Sequence, residues 1–261
     1  MSKTHEQRIE DELVFQAQEA AKELAALRRT PDDVVERYRH SSNWRVNRVE
    51  CLIRFLTLNK PSFICDFGCG SGEMATRLGR LGYKVEGYDV SPDVIEVARK
   101  RAELDGVTDK VSFVVADGAS DTLPKGKFDA VLAMSVLHHL PLEEGLRTLN
   151  DLLVPGGHIA FQEPVAYSNA LQWLRNRTPV EKEVSPDERQ LSAAEIVRIG
   201  EVFEIKEIRH YILLHRFWRV VPKSLHNIFD YLAIRLDRLL LLVPGIKTFA
   251  GAVVILAQKR K

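Results

Sequence analysis

Cysteine is scarce in this chain of 261 residues: there are three, Cys51, Cys65 and Cys69. An odd number with no metal-like spacing excludes a disulfide framework, and a reducing cytosol becomes the expected compartment. An excess of one charge is also missing. Lys and Arg number 37 against 36 Asp and Glu, a formal net charge of +1. The chain as a whole therefore offers no surface built to neutralise phosphates, and no nucleic acid is expected as a partner. Long apolar runs are absent too. Even runs such as LLLLV at 239–243 fall far short of the roughly 18 residues of a membrane span. The N-terminal MSKTHEQRIEDELVFQAQEAAKEL lacks the apolar heart of a signal peptide. Internal repeats and low-complexity tracts are lacking as well. What remains is an ordinary globular composition, 45% hydrophobic and 28% charged, expected to be cytoplasmic and soluble or peripheral. Its length suits one full α/β domain with additions, or two small ones.

Residues 6–28 carry apolar side chains at helical spacing among Glu, Ala, Gln and Arg, and predict a helix. Thr30-Pro31-Asp32-Asp33 predicts a second helix start, with Thr30 as N-cap and Pro31 in the first turn. A further helix is expected over 45–57. From residue 63 the period changes. FICDF (63–67), KVEGYDV (84–90), VSFVVAD (111–117), FDAVLAMSV (128–136) and GHIAFQE (157–163) read as strands, with helical segments between them. Alternating strands and helices predict a parallel sheet covered on both faces. After 164 the alternation loosens. Residues 165–190 read as a loop-rich or helical excursion, 192–200 as a short helix, and 203–211 and 250–258 as two more strands. The forty or so residues between those strands far exceed the roughly 4–6 of an ordinary connection.

The densest signal is ICDFGCGSGE at 64–73. Three glycines at alternate positions behind a strand let the backbone turn sharply and approach a ligand with no Cβ between. The following helix points free N–H groups at the same place. Asp89, 17 residues beyond Gly72, lies at roughly the offset where a carboxylate accepts from ribose hydroxyls. The spacing is G-x-G-x-G, with Glu73 where a dinucleotide loop wants its third glycine. A carboxylate there sits poorly beside a pyrophosphate. With Asp66 ahead of the loop, the site suits a cationic amine or sulfonium, and a tight structural turn is the plainer alternative.

In order along the chain stand DFGCGSGE, VEGYDVSP, VVADG and LLVPGGHIAFQEP. Together they resemble the class I S-adenosylmethionine-dependent methyltransferases, and FDAVLAMSVLHHLP is similar to the small-molecule branch of that family. The likeness is strong over 62–164 and fades to general architecture on either side. It implies a Rossmann-like fold with a seven-stranded, mostly parallel sheet flanked by helices, the last strand antiparallel, and a helical insertion before it. It also implies one structural domain in three parts: 1–61 as N-terminal helices over the active site, 62–164 as the cofactor-binding core, and 165–261 as the rest of the sheet with its cap.

The resemblance assigns S-adenosyl-L-methionine as cofactor. The backbone of Gly68, Gly70 and Gly72 would cradle its methionine part, and Asp66 would face the amino group. Asp89 would hold the ribose hydroxyls, with Val90 packed on the adenine. Asp117 would accept from the adenine amine beside Gly118 and Ala119. Ser135 and an N-terminal aromatic, Tyr38, complete the cofactor set. Carboxylates for amine and hydroxyl donors and an apolar residue for a flat ring make chemical sense.

Catalytic candidates follow the fourth strand, where SVLHHLP puts Ser135, His138 and His139 at the expected rim. A histidine suits removal of a proton from an acceptor hydroxyl, and His138 is preferred to His139. As neighbours in sequence, the two are expected to point different ways, one of them structural. Quinone-biosynthesis relatives show Glu-Val-x-Glu-His in this segment, linked to a metal. Here Ser135 and His138 replace both carboxylates, and no metal is expected. Glu163, at the end of the fifth strand, is a candidate substrate anchor or a cap for the following segment.

The 212–249 insertion holds six Lys and Arg against Asp230 and Asp237, a net +4, with Phe217, Trp218, Phe229 and Tyr231 among many leucines. Three readings stand: an extra core layer or homodimer face, a lid over an apolar acceptor, and an interfacial surface on anionic lipid. The chain is expected to methylate oxygen or nitrogen of a small, lipophilic molecule of secondary-metabolite, quinone or lipid type. Two rivals remain: a protein of the same fold that binds the cofactor without transferring methyl, and a nicotinamide-dependent oxidoreductase.

Overall fold

The computed structural model describes residues 5–39, 48, 51–52, 55–56, 59–118, 122–167 and 190–260. Its centre is a seven-stranded sheet in the order β3-β2-β1-β4-β5-β7-β6. The strands are β1 (Phe63–Phe67), β2 (Lys84–Asp89), β3 (Val111–Val115), β4 (Phe128–Met134), β5 (Leu153–Pro164), β6 (Phe203–Tyr211) and β7 (Ala252–Lys259). All neighbours among β1 to β5 run parallel, and β7 runs antiparallel between β5 and β6. This is the sheet the family resemblance implies, with strands matching the sequence reading to within a few residues. The chief difference is β5, which starts at Leu153 through a register shift opposite Phe128 and Ala130. Pro155 and two glycines had masked that beginning.

The helices are α1 (His5–Ala26), α2 (Asp32–Arg39), α3 (Glu73–Arg80), α4 (Pro92–Asp105), α5 (Leu142–Leu152), α6 (Ala193–Val202) and α7 (His226–Leu240). The second begins at Asp32, just past the proline expected to lead it. Of the helix expected over 45–57, residues 48, 51–52 and 55–56 are described and helical. The 165–190 excursion falls almost wholly outside the described residues.

Strand alternation splits the core into two layers. Cys65, Phe67, Val131, Ala133, Ile159, Phe161, Val253 and Ile255 point to one side, where Leu146 and Leu149 of α5 and Ile196 and Ile199 of α6 close over them. Ile64, Ala130, Leu132, Ala160, Val254 and Leu256 point to the other, under Met74 and Leu78 of α3, Ile95 and Ala98 of α4, and Leu52 and Phe55. Apolar residues on both faces of one strand require such covering. The strand order reverses between β1 and β4, so the loops after them diverge and leave a crevice at their carboxyl ends. A third cluster, Ala20 and Leu27 against Val94 and Val97, seats α1 on α4.

Candidate functional site

The crevice is built from the turn after β1. Gly68, Gly70 and Gly72 all have positive φ, 71°, 51° and 73°, a backbone region that costs other residues free energy. The three differ in what surrounds them. A Cβ on Gly68 would stand 2.5 Å from Val136, and one on Gly72 would stand 2.7 Å from the Phe113 ring. A Cβ on Gly70 would meet nothing within 4 Å. Gly68 and Gly72 are thus packing glycines, and Gly70 exposes bare backbone to open space. Gly68 N and Cys69 N donate to Tyr88 O at 2.8 and 2.9 Å, pinning the loop to β2.

Two carboxylates flank this turn. Asp89 Oδ2 accepts from Gly70 N at 2.9 Å and Oδ1 from Ser91 N at 3.1 Å. The ribose candidate is therefore also a brace for the glycine loop. Asp66 is buried, and its Oδ2 has no hydrogen-bond partner among the described residues. Burial chiefly, with nearby Asp89 adding to it, raises its pKa to about 7 against the lowering effect of the Ala75 N–H in the first turn of α3. A buried carboxylate oxygen with no internal partner is costly, and a ligand ammonium would satisfy it. The open face of Gly70 and the orphaned Asp66 oxygen together fit the amino-acid end of S-adenosylmethionine. The same observations do not suit a pyrophosphate, which both carboxylates would repel.

Val90 is half-buried just beyond Asp89, and Asp117 and Gly118 are half-buried beyond β3. A Cβ on Gly118 would stand 2.6 Å from Phe67 and 3.4 Å from Leu140, so this loop also lies close against the end of β1. Ala119 and the Tyr38 side chain lie outside the described residues. Thiol chemistry is absent from the crevice. Cys65 and Cys69 are buried, and desolvation, with Asp66 nearby, pushes both thiols far above their ordinary range.

The acceptor side is set by the end of β4. Ser135 has φ 55°, a left-handed conformation uncommon for serine, and its N–H donates to Gln162 O at 2.7 Å. This bend throws Val136 onto Gly68 and starts a 3₁₀ turn, Leu137–His139. Glu163 gathers the turn. Its Oε1 accepts from Val136 N and Leu137 N at 3.1 and 2.8 Å, and its Oε2 lies 2.6 Å from His138 Nδ1. Both members of the pair are buried.

Two expectations change here. Glu163 is not placed to anchor a substrate, because it is fully buried and both its oxygens are engaged by the β4 turn. The adjacent histidines do not point apart either. Their ring centroids lie 4.1 Å apart, with the ring planes tilted by 40°. His138 is the buried ring and His139 the half-exposed one, so the order of preference between them reverses. Ser135 is exposed beside them.

Sequence reasoning missed the clasp that holds α1 to the glycine loop. Ser71 Oγ donates to Glu23 Oε1 at 2.9 Å, Arg101 Nε donates to Ser71 O at 3.0 Å, and Arg101 pairs with Glu23. These residues are 48 and 78 positions apart, and no local pattern marks them.

Residues 64–157 match the methyltransferase-domain family. Among curated proteins, the chain is 32% identical over 159 residues to a ubiquinone biosynthesis O-methyltransferase of Ruegeria pomeroyi, covering 54% of this chain and 63% of that one. It is 35% identical over 112 residues to the 27-O-demethylrifamycin SV methyltransferase of Amycolatopsis mediterranei, covering 42% and 41%. The chain spans about half the length of the first curated relatives it matches. Among solved structures, the N-methyltransferase NodS of Bradyrhizobium japonicum, in complex with S-adenosyl-L-homocysteine, superposes with a TM-score of 0.56 at 16% identity, covering 94% of this chain and 99% of that one. That likeness is one of fold.

Proposed function

The chain belongs to the class I S-adenosylmethionine-dependent methyltransferases, and from that premise we propose that it methylates an oxygen or nitrogen of a small lipophilic acceptor. The observation that carries this reading is the pairing, in one crevice, of an orphaned buried carboxylate oxygen on Asp66 with the two close histidine rings at the end of β4. When bound, S-adenosylmethionine supplies a methyl group on a cationic sulfur, open to direct displacement.

The chain's residues divide the remaining work. Asp66 holds the ligand's ammonium, Gly70 presents bare backbone to its amino-acid portion, and Asp89 accepts from the ribose hydroxyls while bracing Gly70. Val90, Asp117 and Gly118 receive the adenine. Holding donor and acceptor in line supplies most of the acceleration. His139, half-exposed on the rim, accepts the acceptor's proton. His138 acts as a positioning residue. Glu163 fixes its Nδ1, and its ring backs His139. Relatives named for ubiquinone and rifamycin chemistry favour a phenolic or quinol-like acceptor over a nucleic acid or protein. The three buried thiols suit a reducing compartment such as the cytoplasm.

Transfer of labelled methyl from S-adenosylmethionine to a panel of quinols, phenols and amines tests the proposal. Turnover with quinols or phenols that falls about 10²-fold or more in His139→Ala, with cofactor affinity nearly intact, is the expected result. Tight cofactor binding without turnover on any acceptor class favours the non-transferring rival. Binding of NADH in place of the sulfur ligands would overturn the reading altogether.

A further inference from the structure

Helix α7 faces the wrong way for a surface helix. Such helices turn their apolar stripe to the core and their charges to water. In α7 the fully buried positions are Ala233 and Asp237, continued by Leu241, with Phe229, Ile234 and Leu240 half-buried beside them. The outward positions, at spacings of three and four, are Ile228, Leu232, Leu236 and Leu239, continued past the helix end by Leu242 and Val243. Leu239 is 65% exposed and Leu242 is 77% exposed. No helix among the described residues is long and apolar enough to cross a membrane.

The acids and bases of the insertion are segregated in the same sense. Asp237 is turned inward and accepts from Leu213 N, Leu214 N and His215 N at 2.6 to 3.3 Å. Asp230 lies 3.2 Å from His215 Nε2 and is largely covered. Lys223, Arg235, Arg238 and Lys247 are exposed. Arg235 lies over the Tyr231 ring, 4.0 Å from its centroid, at the edge of the apolar stripe. Both carboxylates of the segment are spent on holding it together, and the charged side chains described on its outer face are all positive, among exposed leucines and other apolar residues.

We propose that this face of 212–249 docks on a lipid bilayer bearing anionic headgroups, with the leucine stripe of α7 entering the headgroup boundary and the cations lying among the phosphates. The pattern matches an interfacial helix, which lies in the membrane surface rather than across it. Sheet register fixes where the face sits. The first residue of β7, Ala252, pairs with Pro164 at the end of β5 and with Tyr211 at the end of β6. The insertion therefore rises from the same end of the sheet as Asp66, Asp89, Ser135 and Glu163. A membrane-dissolved acceptor would reach the rim without crossing water.

Flotation of the full chain with vesicles of phosphatidylcholine, alone or with about one-third phosphatidylglycerol, tests this. Binding to the anionic vesicles, weakened by salt, is expected. Leu232→Glu and Leu239→Glu should each weaken it roughly tenfold or more, and Arg235→Ala about fivefold on anionic vesicles only. These side chains are exposed, so the variants should fold, and unchanged binding of S-adenosylhomocysteine checks that they do. Failure to bind either vesicle overturns the proposal, as does binding that the leucine variants leave intact. A concentration-dependent dimer that Leu239→Glu dissociates would assign the face to a second copy of the chain. None of these outcomes depends on methyl transfer, so docking and catalysis can fail separately.

Discussion

Acid should loosen the cofactor from this protein through one side chain. Without ligand, Asp66 titrates at about 7 because burial penalises its charge; with an ammonium beside it, the charged form is favoured and a proton must leave. Between pH 7 and pH 5 the fraction of Asp66 already ionised falls about fiftyfold, equivalent to roughly 2 kcal/mol of binding free energy. The dissociation constant of S-adenosylhomocysteine should therefore rise by up to that factor over this window. Calorimetric titration in paired buffers of different ionisation enthalpy should also register release of up to one proton. The Asp66→Asn variant should bind weakly throughout, with the acid slope removed.

Its stability should move oppositely. A carboxyl whose folded pKa lies above its unfolded value penalises the fold as pH rises from the unfolded value through about 7. Above that range the ligand-free Asp66→Asn protein should be more stable by a few kcal/mol. A dissociation constant flat from pH 7 to 5, or a slope that survives in Asp66→Asn, refutes the assignment of Asp66 to the ligand's amine.

Other perturbations separate the remaining roles. Asp89→Ala should weaken cofactor binding at least about tenfold in the same titration, since it removes both the proposed ribose acceptor and the Gly70 brace. Gly70→Ala should change the melting temperature little, by the equivalent of about 1 kcal/mol, yet obstruct the cofactor; Gly72→Ala should destabilise markedly through its clash with Phe113. Glu163→Gln should lower turnover while the dissociation constant of S-adenosylhomocysteine stays near the wild-type value, because the amide preserves the backbone contacts better than the histidine tautomer. Asp237→Ala should raise hydrogen exchange selectively over 212–249, where three N–H groups lose their acceptor.

Much of the sheet could be read from the chain because periodicity and apolar runs encode which faces are covered. The FICDF and VVILA segments state their burial on both faces in their own residues. The glycine turn and Asp89 were legible for a similar reason: strand, turn and carboxylate lie within one βαβ unit. The Glu163–His138 pair was not. It joins the ends of two strands 25 residues apart, and only the β4–β5 register brings them together. The closeness of His138 to His139 depends on the left-handed turn at Ser135, a conformation that serine does not advertise. Glu23 and Arg101 are ordinary surface-helix residues until α1 packs on α4. The direction of α7 was hidden as well, since a leucine-rich helix reads the same whether its stripe faces in or out. Asp237 decides the matter by claiming the inward side.

The chain leaves the sheet after Tyr211 and returns to it at Ala252, and Gly251 N lies 2.9 Å from both Tyr211 O and Ile212 O. Departure and return thus share one point, and to the sheet the whole 212–251 excursion resembles a hairpin loop. Such an arrangement makes the segment exchangeable. A transplanted connection of any length that closes the same gap would leave β6 and β7 paired, because loop closure grows costlier only slowly with length. The crevice that binds the cofactor and the surface proposed to find the acceptor can therefore diverge at different rates, with one rung of the ladder as the seam between them.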